Sequence, residues 1–266
     1  MSKTILITGA TDGIGLVTAK GLAAEGHKLL LHGRSRAKLD AALETVAEFG
    51  NGAEGYLADF ADLADVDRMA AEVSAKHDHI HVLINNAGVL KTGNPRTPDG
   101  YDVRFVVNMF APYRLTEKLM PLMNGDSRIV NLSSAAQAPV SLAALAGDVQ
   151  LDDMGAYAQS KLAITMWSKW LAEKQPGGPV VIAVNPGSLL ASKMVKEGFG
   201  VPGHDLGKGA DILRRASLDE CFAGASGRYF DNDIGEFGAP HSDAFDAAKV
   251  DAVVAAVEAT VADIVG

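Results

Sequence analysis

Short apolar runs alternate with longer segments of helical spacing from the first residues of this 266-residue chain. TILIT (4–8), KLLLHG (28–33), AEGYLAD (53–59), HVLINNA (81–87), RIVNLSS (128–134), PVVIAVNPG (179–187) and GRYF (227–230) read as strands. Helical spacing fills 14–26, 36–48, 63–76, 100–123, 156–174 and 208–223. Alternation of this kind implies βαβ units, so the expected class is α/β: a doubly wound, mostly parallel sheet with helices on both faces. No Pro/Gly/Ser-rich break divides the chain, and one domain over 1–266 is expected.

In such a sheet, ligands bind beyond the carboxyl ends of the strands. Gly9–Gly15, Asp59, Asn85–Gly88, Ser133–Ser134 and Asn185–Gly187 all fall there, along one rim. TGATDGIG (8–15) joins the first strand to the first helix. Gly9 suits a sharp turn, and Gly13 and Gly15 allow close approach to a diphosphate and to the sheet. A helix starting near Ile14, behind Thr11 and Asp12, points free N–H groups and a positive dipole end at an anion. A structural turn uses the same glycines, and the spacing is G-x-x-x-G-x-G rather than the commonest dinucleotide fingerprint. Asp59, followed by Phe60, can accept from an adenine amino group or cap the next helix. Asn85 and Asn86 can pair turn backbone, with Ala87 following and Gly88 letting the chain pass a cofactor.

GAYAQSKLAI (155–164) places Tyr157 and Lys161 one turn apart on one helix face. Either they are an ordinary surface pair, or the ammonium lowers the phenol pKa and makes its proton transferable. Composition narrows the classes. A formal net charge of −9 argues against nucleic acid or acidic lipid as partner. The single cysteine, Cys221, excludes an intrachain disulfide and reads as a small buried helical residue. No histidine, cysteine and carboxylate grouping has catalytic-metal spacing, and His77, His79 and His81 read as a helix-to-strand loop. The N-terminus lacks a signal-peptide core and no stretch reaches an apolar span, so a cytoplasmic protein without a membrane segment is expected.

TGATDGIG, NNAG, Asn108, the serine pair before QAP and Tyr157-x-x-x-Lys161 together resemble the short-chain dehydrogenase/reductase family, classical type, over nearly the whole chain. The insertion between Ser134 and Tyr157, with LAALAGDVQLDD, resembles retinol-dehydrogenase-like and related bacterial members. The resemblance implies a Rossmann-type fold and hydride transfer between NAD(P)(H) and an alcohol or carbonyl. It also implies a homodimer or homotetramer joined through the helices near 100–123 and 156–174. By the same resemblance Tyr157 is the acid/base and Lys161 holds the nicotinamide ribose. Ser134 rather than Ser133 orients the substrate oxygen, and Asn108 holds a helix distortion and a water leading from Lys161 to solvent. NPGSLLASKM resembles the segment over the nicotinamide: Pro186 and Gly187 set its turn, and Ser192 takes the hydroxyl role where Ala191 stands in the threonine position.

LLLHGRSRAKL (29–39) decides the coenzyme. An NAD site places a carboxylate near the end of this strand. Here Gly33 stands there, then Arg34, with Arg36 and Lys38 behind, which favours NADP(H) over NAD(H). Residues 193–211 are expected to act as a substrate lid, with Leu142, Leu145, Met194 and Phe199 as an apolar wall. Segment 229–245 reads as lining the pocket or serving an oligomer contact. The rival readings are a nucleotide-binding regulator or redox sensor with little turnover, and an isomerase or dehydratase on the same cofactor fold.

Overall fold

The structure, a computed structural model, describes residues 2–49, 52–188, 190–191 and 203–266. Its strands are β1 (Thr4–Ile7), β2 (Lys28–Gly33), β3 (Ala53–Leu57), β4 (Val82–Asn85), β5 (Arg128–Leu132), β6 (Val180–Asn185), β7 (Tyr229–Asp231) and β8 (Glu236–Phe237). They form one sheet in the order β3-β2-β1-β4-β5-β6-β7-β8. Every pairing from β3 to β7 is parallel, and β8 returns antiparallel to β7. The strand order reverses beside β1, where β1 meets both β2 and β4, so the crevice expected in a Rossmann-type sheet opens between their ends.

Both faces of the sheet are covered, which is why the strands read as continuous apolar runs rather than as alternating ones. Ile5, Ile7, Leu29, Leu31, Val82 and Ile84 point into one core, under α1 (Gly13–Ala24), α2 (Arg36–Ala47) and the helix Leu206–Leu218. Leu6, Leu30 and Leu83 point into the other. That core lies under α3 (Leu63–Ser74), the helical stretch 103–119 and the helices Asp153–Lys174 and Ala247–Val265.

The expected strands and helices are all present, with ends shifted by a few residues in either direction. After β7 come β8, the single turn Ser242–Phe245 and the helix Ala247–Val265. That helix carries alanine or valine around most of its circumference, so its apolar stripe is poorly marked. Its Val250, Val253, Val254, Val257 and Val261 are buried in the second core. It packs on Asp153–Lys174, whose residues 160–168 are all buried within the one chain. The stretch 103–116 is likewise buried or half-buried throughout. Exposed positions on these two helices, among them Glu117, Lys118, Glu173 and Lys174, lie outside those stretches. Cys221 also departs from expectation. It lies in the single turn Glu220–Phe222 and is exposed, because Phe222 takes the buried position beside it.

Within 103–119 the helix widens to a π-turn at Val106–Phe110, where the Ala111 amide reaches the Val106 carbonyl five residues back. Pro112 has no N–H to offer the Asn108 carbonyl four residues before it, which locates the distortion. At the start of this stretch Arg104 is fully buried. Its guanidinium forks onto Asp102 at 2.8 and 2.6 Å and also pairs with Asp153, the first residue of the Tyr157 helix. Arg104 therefore ties the two helices together at the end nearest the rim. Arg104→Ala leaves the Asp102 carboxylate buried without its partner, and should cost about 3–5 kcal/mol in denaturant unfolding. A loss below about 1 kcal/mol would mean that the ion pairs do not hold this junction.

Candidate active site

The turn after β1 meets the turn after β4. Gly9 has φ +65°, and a Cβ there would lie 2.9 Å from the Ala87 Cα; one on Gly15 would lie 2.4 Å from the Gly9 carbonyl oxygen. Glycine is needed at both by this crowding. Asn86 closes the gap, its amide donating to the carbonyls of Thr8 (2.8 Å) and Gly9 (3.0 Å). Asn85 does something else. Its buried amide donates to Asn131 (2.8 Å) and Thr116 (3.3 Å) within the second core, so only Asn86 serves the turn. Asp12 caps α1, accepting from the Gly13 amide, and the helix begins at Gly13.

His32 holds this turn from below. Its Nδ1 accepts the Gly9 amide at 3.2 Å, its Nε2 donates to the Ala58 carbonyl at 3.0 Å, and its ring stacks on Phe60 at 4.0 Å. A polar residue interrupting the buried run LLLHG was the available signal. Burial lowers the His32 pKa from 6.5 to about 4, against the opposing pull of the Ala58 carbonyl, Asp59 and Asp65.

The cleft above these turns has a volume of about 540 Å³. Gly9, Thr11, Asp12, Gly13, Ile14, Gly15, Arg34, Asp59, Phe60, Asn86, Ala87, Gly88, Tyr157, Lys161 and Pro186 line it, so most of the expected cofactor residues converge. Asp59 is exposed at its edge and accepts the Ala61 amide; the cap of α3 is Asp62, not Asp59. Arg34 is exposed at the mouth and makes no hydrogen bond or ion pair among the described residues, whereas Lys38 pairs with Asp12 at 3.4 Å and Arg36 with Asp40 at 3.8 Å. A Cβ on Gly33 would meet the Thr11 methyl at 2.3 Å, so a carboxylate-bearing side chain does not fit there as the turn stands. Glycine cradle, helix N-terminus and unpaired guanidinium fit a dinucleotide with a phosphate at its adenosine end.

At the opposite side stand Tyr157, half-buried, and Lys161, buried at 4% exposure. Lys161 Nζ donates to the Leu132 carbonyl at 2.8 Å and lies 5.7 Å from the centre of the Tyr157 ring. The expected lowering of the tyrosine pKa is reversed. Burial pushes Tyr157 up, opposed by the nearby Ser134 hydroxyl, and burial also brings Lys161 down to about 8. Desolvation is the larger influence on both groups. Of the serine pair, Ser133 borders the cleft, but its hydroxyl bonds Thr165 at 2.6 Å and the Lys161 carbonyl at 3.3 Å. Ser134, which accepts the Ala136 amide, faces the phenol. Asn108, inside the π-turn, grips Val89 through both its N–H and C=O and donates to Ser160 at 2.9 Å.

Some expected residues stand apart. Ser192, Met194, Phe199 and 193–202 of the lid lie outside the described residues. The end of the lid, from residue 206, is the helix Leu206–Leu218, whose Gly209 packs against Ile14. Leu145 is buried in the second core and Leu142 is exposed; the cleft wall uses Val89, Leu90, Val107 and Leu132 instead. Among the described residues no group of acidic, histidine and cysteine side chains has metal-holding geometry, and no helix is long and apolar enough to cross a membrane.

A switch-point crevice with a glycine cradle defines a dinucleotide-binding protein of Rossmann type. The short chain dehydrogenase family model matches residues 3–199, and the chain belongs to that family. Human retinol dehydrogenase 13 is 34% identical over 200 residues, covering 70% of this chain and 58% of that protein. The chain thus spans less than two thirds of that relative's length. An uncharacterized protein from Mycobacterium Paratuberculosis superposes with a TM-score of 0.80 at 26% identity, over 97% of this chain and 93% of that one. A short chain dehydrogenase from Burkholderia cenocepacia J2315, solved in complex with NADP, gives 0.70 at 26% identity, over 88% and 97%.

The His32 geometry carries a pH signature. Its folded pKa lies below the unfolded value, so the unfolded chain binds more protons in between, and stability rises with pH there. The contribution is complete above 6.5 and is lost as pH falls toward about 4, a difference of roughly 3 kcal/mol. Unfolding of wild type and His32→Gln at pH 7 and near pH 4 should show a flatter pH dependence in the variant. Equal slopes would contradict this protonation state.

Proposed function

We propose that this protein is an NADP(H)-dependent oxidoreductase acting on a small alcohol or carbonyl compound, with Tyr157 as its acid/base. The observation that carries the reading is the meeting of Tyr157, Lys161 and the Ser134 hydroxyl at one end of a cleft whose other end is the glycine cradle and Arg34. When bound, the dinucleotide would supply or accept the hydride. Gly9–Gly15 and the start of α1 would hold its diphosphate, and Asp59, Phe60 and Asn86–Gly88 would flank its adenosine. Arg34 would meet the 2′-phosphate, and Pro186–Gly187 would lie beside the nicotinamide. The NADP in the Burkholderia relative and the kinship with retinol dehydrogenases support this choice of coenzyme and of substrate chemistry.

In the reductive direction, the high pKa of Tyr157 keeps a proton on its Oη, ready for the developing oxyanion. Ser134 donates to the same oxygen and orients it. Proton transfer leaves a phenolate, which the Lys161 ammonium stabilises; below pH 8 that ammonium remains charged. Asn108 holds the π-turn against Val89 and Ser160, and in this reading supports a water beside Lys161 through which solvent returns a proton to the Tyr157 phenolate.

Mixing the protein with a carbonyl panel and following nicotinamide absorbance tests the activity, with faster oxidation of NADPH than of NADH expected. Tight NADPH binding with no oxidation across the panel would favour a regulator instead. Loss of the Arg34 contact in Arg34→Ala should cost roughly 2–3 kcal/mol, or about 30- to 150-fold in NADPH affinity. NADH affinity should scarcely move. Equal losses for the two coenzymes would remove Arg34 from the 2′-phosphate.

A further inference from the structure

The segment YFDNDIGEFGAPH (229–241) forms the β7–β8 hairpin and the chain leaving it, and two turns of the site rest on it. The first is the turn after β5. The Ser134 carbonyl accepts from Tyr229 Oη at 3.1 Å and from Gln137 Nε2 at 2.9 Å. Gln137 Oε1 in turn accepts the His241 amide at 2.9 Å. The second is the turn after β6. The Asp233 carboxylate accepts from the Ser188 amide (2.7 Å), the Ser188 hydroxyl (2.6 Å) and the Asn185 amide group (2.9 Å). Asn232 Nδ2 donates to the Pro186 carbonyl at 2.9 Å.

These contacts specify conformation rather than fill space. Tyr229 is buried, and its phenol is kept protonated by that burial and by Asp231 and Asp233, so it serves the Ser134 carbonyl only as a donor. Beyond the end of β5 the Ser134 side chain has one backbone partner, the Ala136 amide. Two side-chain donors on its carbonyl therefore fix the peptide plane, and on that backbone the Ala136 amide holds Oγ. At the second turn, three donors from two residues converge on one carboxylate, a geometry that fixes 185–188 against the hairpin.

We propose that the hairpin is a positioning brace, Tyr229 setting the angle of Ser134 and Asp233 setting the turn Asn185–Ser188 beside the coenzyme. This rests on the functional reading above of those two turns. The brace predicts a division of labour: the Tyr229 end governs turnover, and the Asp233 end governs coenzyme binding.

Amide hydrogen exchange of the full-length protein, NADPH titration and steady-state reduction would be compared for wild type, Tyr229→Phe and Asp233→Asn. In Tyr229→Phe, exchange should quicken within 134–138, kcat should fall about tenfold, and the NADPH dissociation constant should stay within about twofold. In Asp233→Asn, exchange should quicken at 187–188 and NADPH affinity should drop about tenfold. Asp233 is exposed, so this variant stands even if Tyr229→Phe folds poorly. Unchanged exchange at both turns, or quickening spread evenly across the sheet, would overturn the brace. So would local quickening with kcat and NADPH affinity both as in wild type. If wild type oxidises no NADPH, the hydride-transfer reading falls, while the exchange and titration arms still decide whether the hairpin holds these turns.

Discussion

The turns that end β1 and β4 come so close together that no side chain fits at position 9, and the Asn86 amide is the bond that fastens them. Much else follows from that approach. It places the start of α1 over the switch point of the sheet, with its free N–H groups facing the crevice. It brings Gly15 against the Gly9 carbonyl, so the helix sits deep enough for a diphosphate to reach its N-terminus. It also requires a support from the β2 side, which His32 supplies by taking the Gly9 amide and bonding onward to Ala58. The chain's own groups thus assemble the dinucleotide end of the cleft.

At the other end the controlling factor is burial. One cause, desolvation, lowers His32, raises Tyr157 and lowers Lys161, in each case favouring the neutral form. For His32 this secures an acceptor nitrogen toward the glycine turn. For Tyr157 it secures a phenol with its proton in place. Lys161 is brought close to neutrality without losing its charge at physiological pH, so in the proposed reaction it can stabilise the phenolate. The π-turn at Val106–Phe110 contributes by geometry: Asn108 reaches Val89 and Ser160 from it, linking the β4 turn to the Tyr157 helix.

The sheet and its crossovers were legible because buried parallel strands leave short apolar runs, and KLLLHG matches β2 residue for residue. Glycine cradle, NNAG and Tyr157-x-x-x-Lys161 were legible because each is local in sequence. The helix Ala247–Val265 was not, since alanine and valine around its circumference blur the stripe, and β8 is only two residues long. The direction of the Tyr157 shift also escaped. Sequence spacing reports the lysine one turn away, but not the burial of both groups. Likewise Tyr229, Gln137 and Asp233 act on turns more than forty residues distant or through a neighbouring loop, so no spacing rule connects them to Ser134 or Ser188.

The central claim is that Tyr157 moves the proton while the cradle holds the coenzyme, two tasks done by different atoms of one cleft. Tyr157→Phe removes only the phenolic oxygen and separates them. NADPH affinity from nicotinamide fluorescence should stay within about threefold of wild type, while the single-turnover rate of carbonyl reduction should fall at least about a hundredfold. A variant that binds NADPH and reduces the same carbonyl at a near wild-type rate would contradict the assignment of the acid.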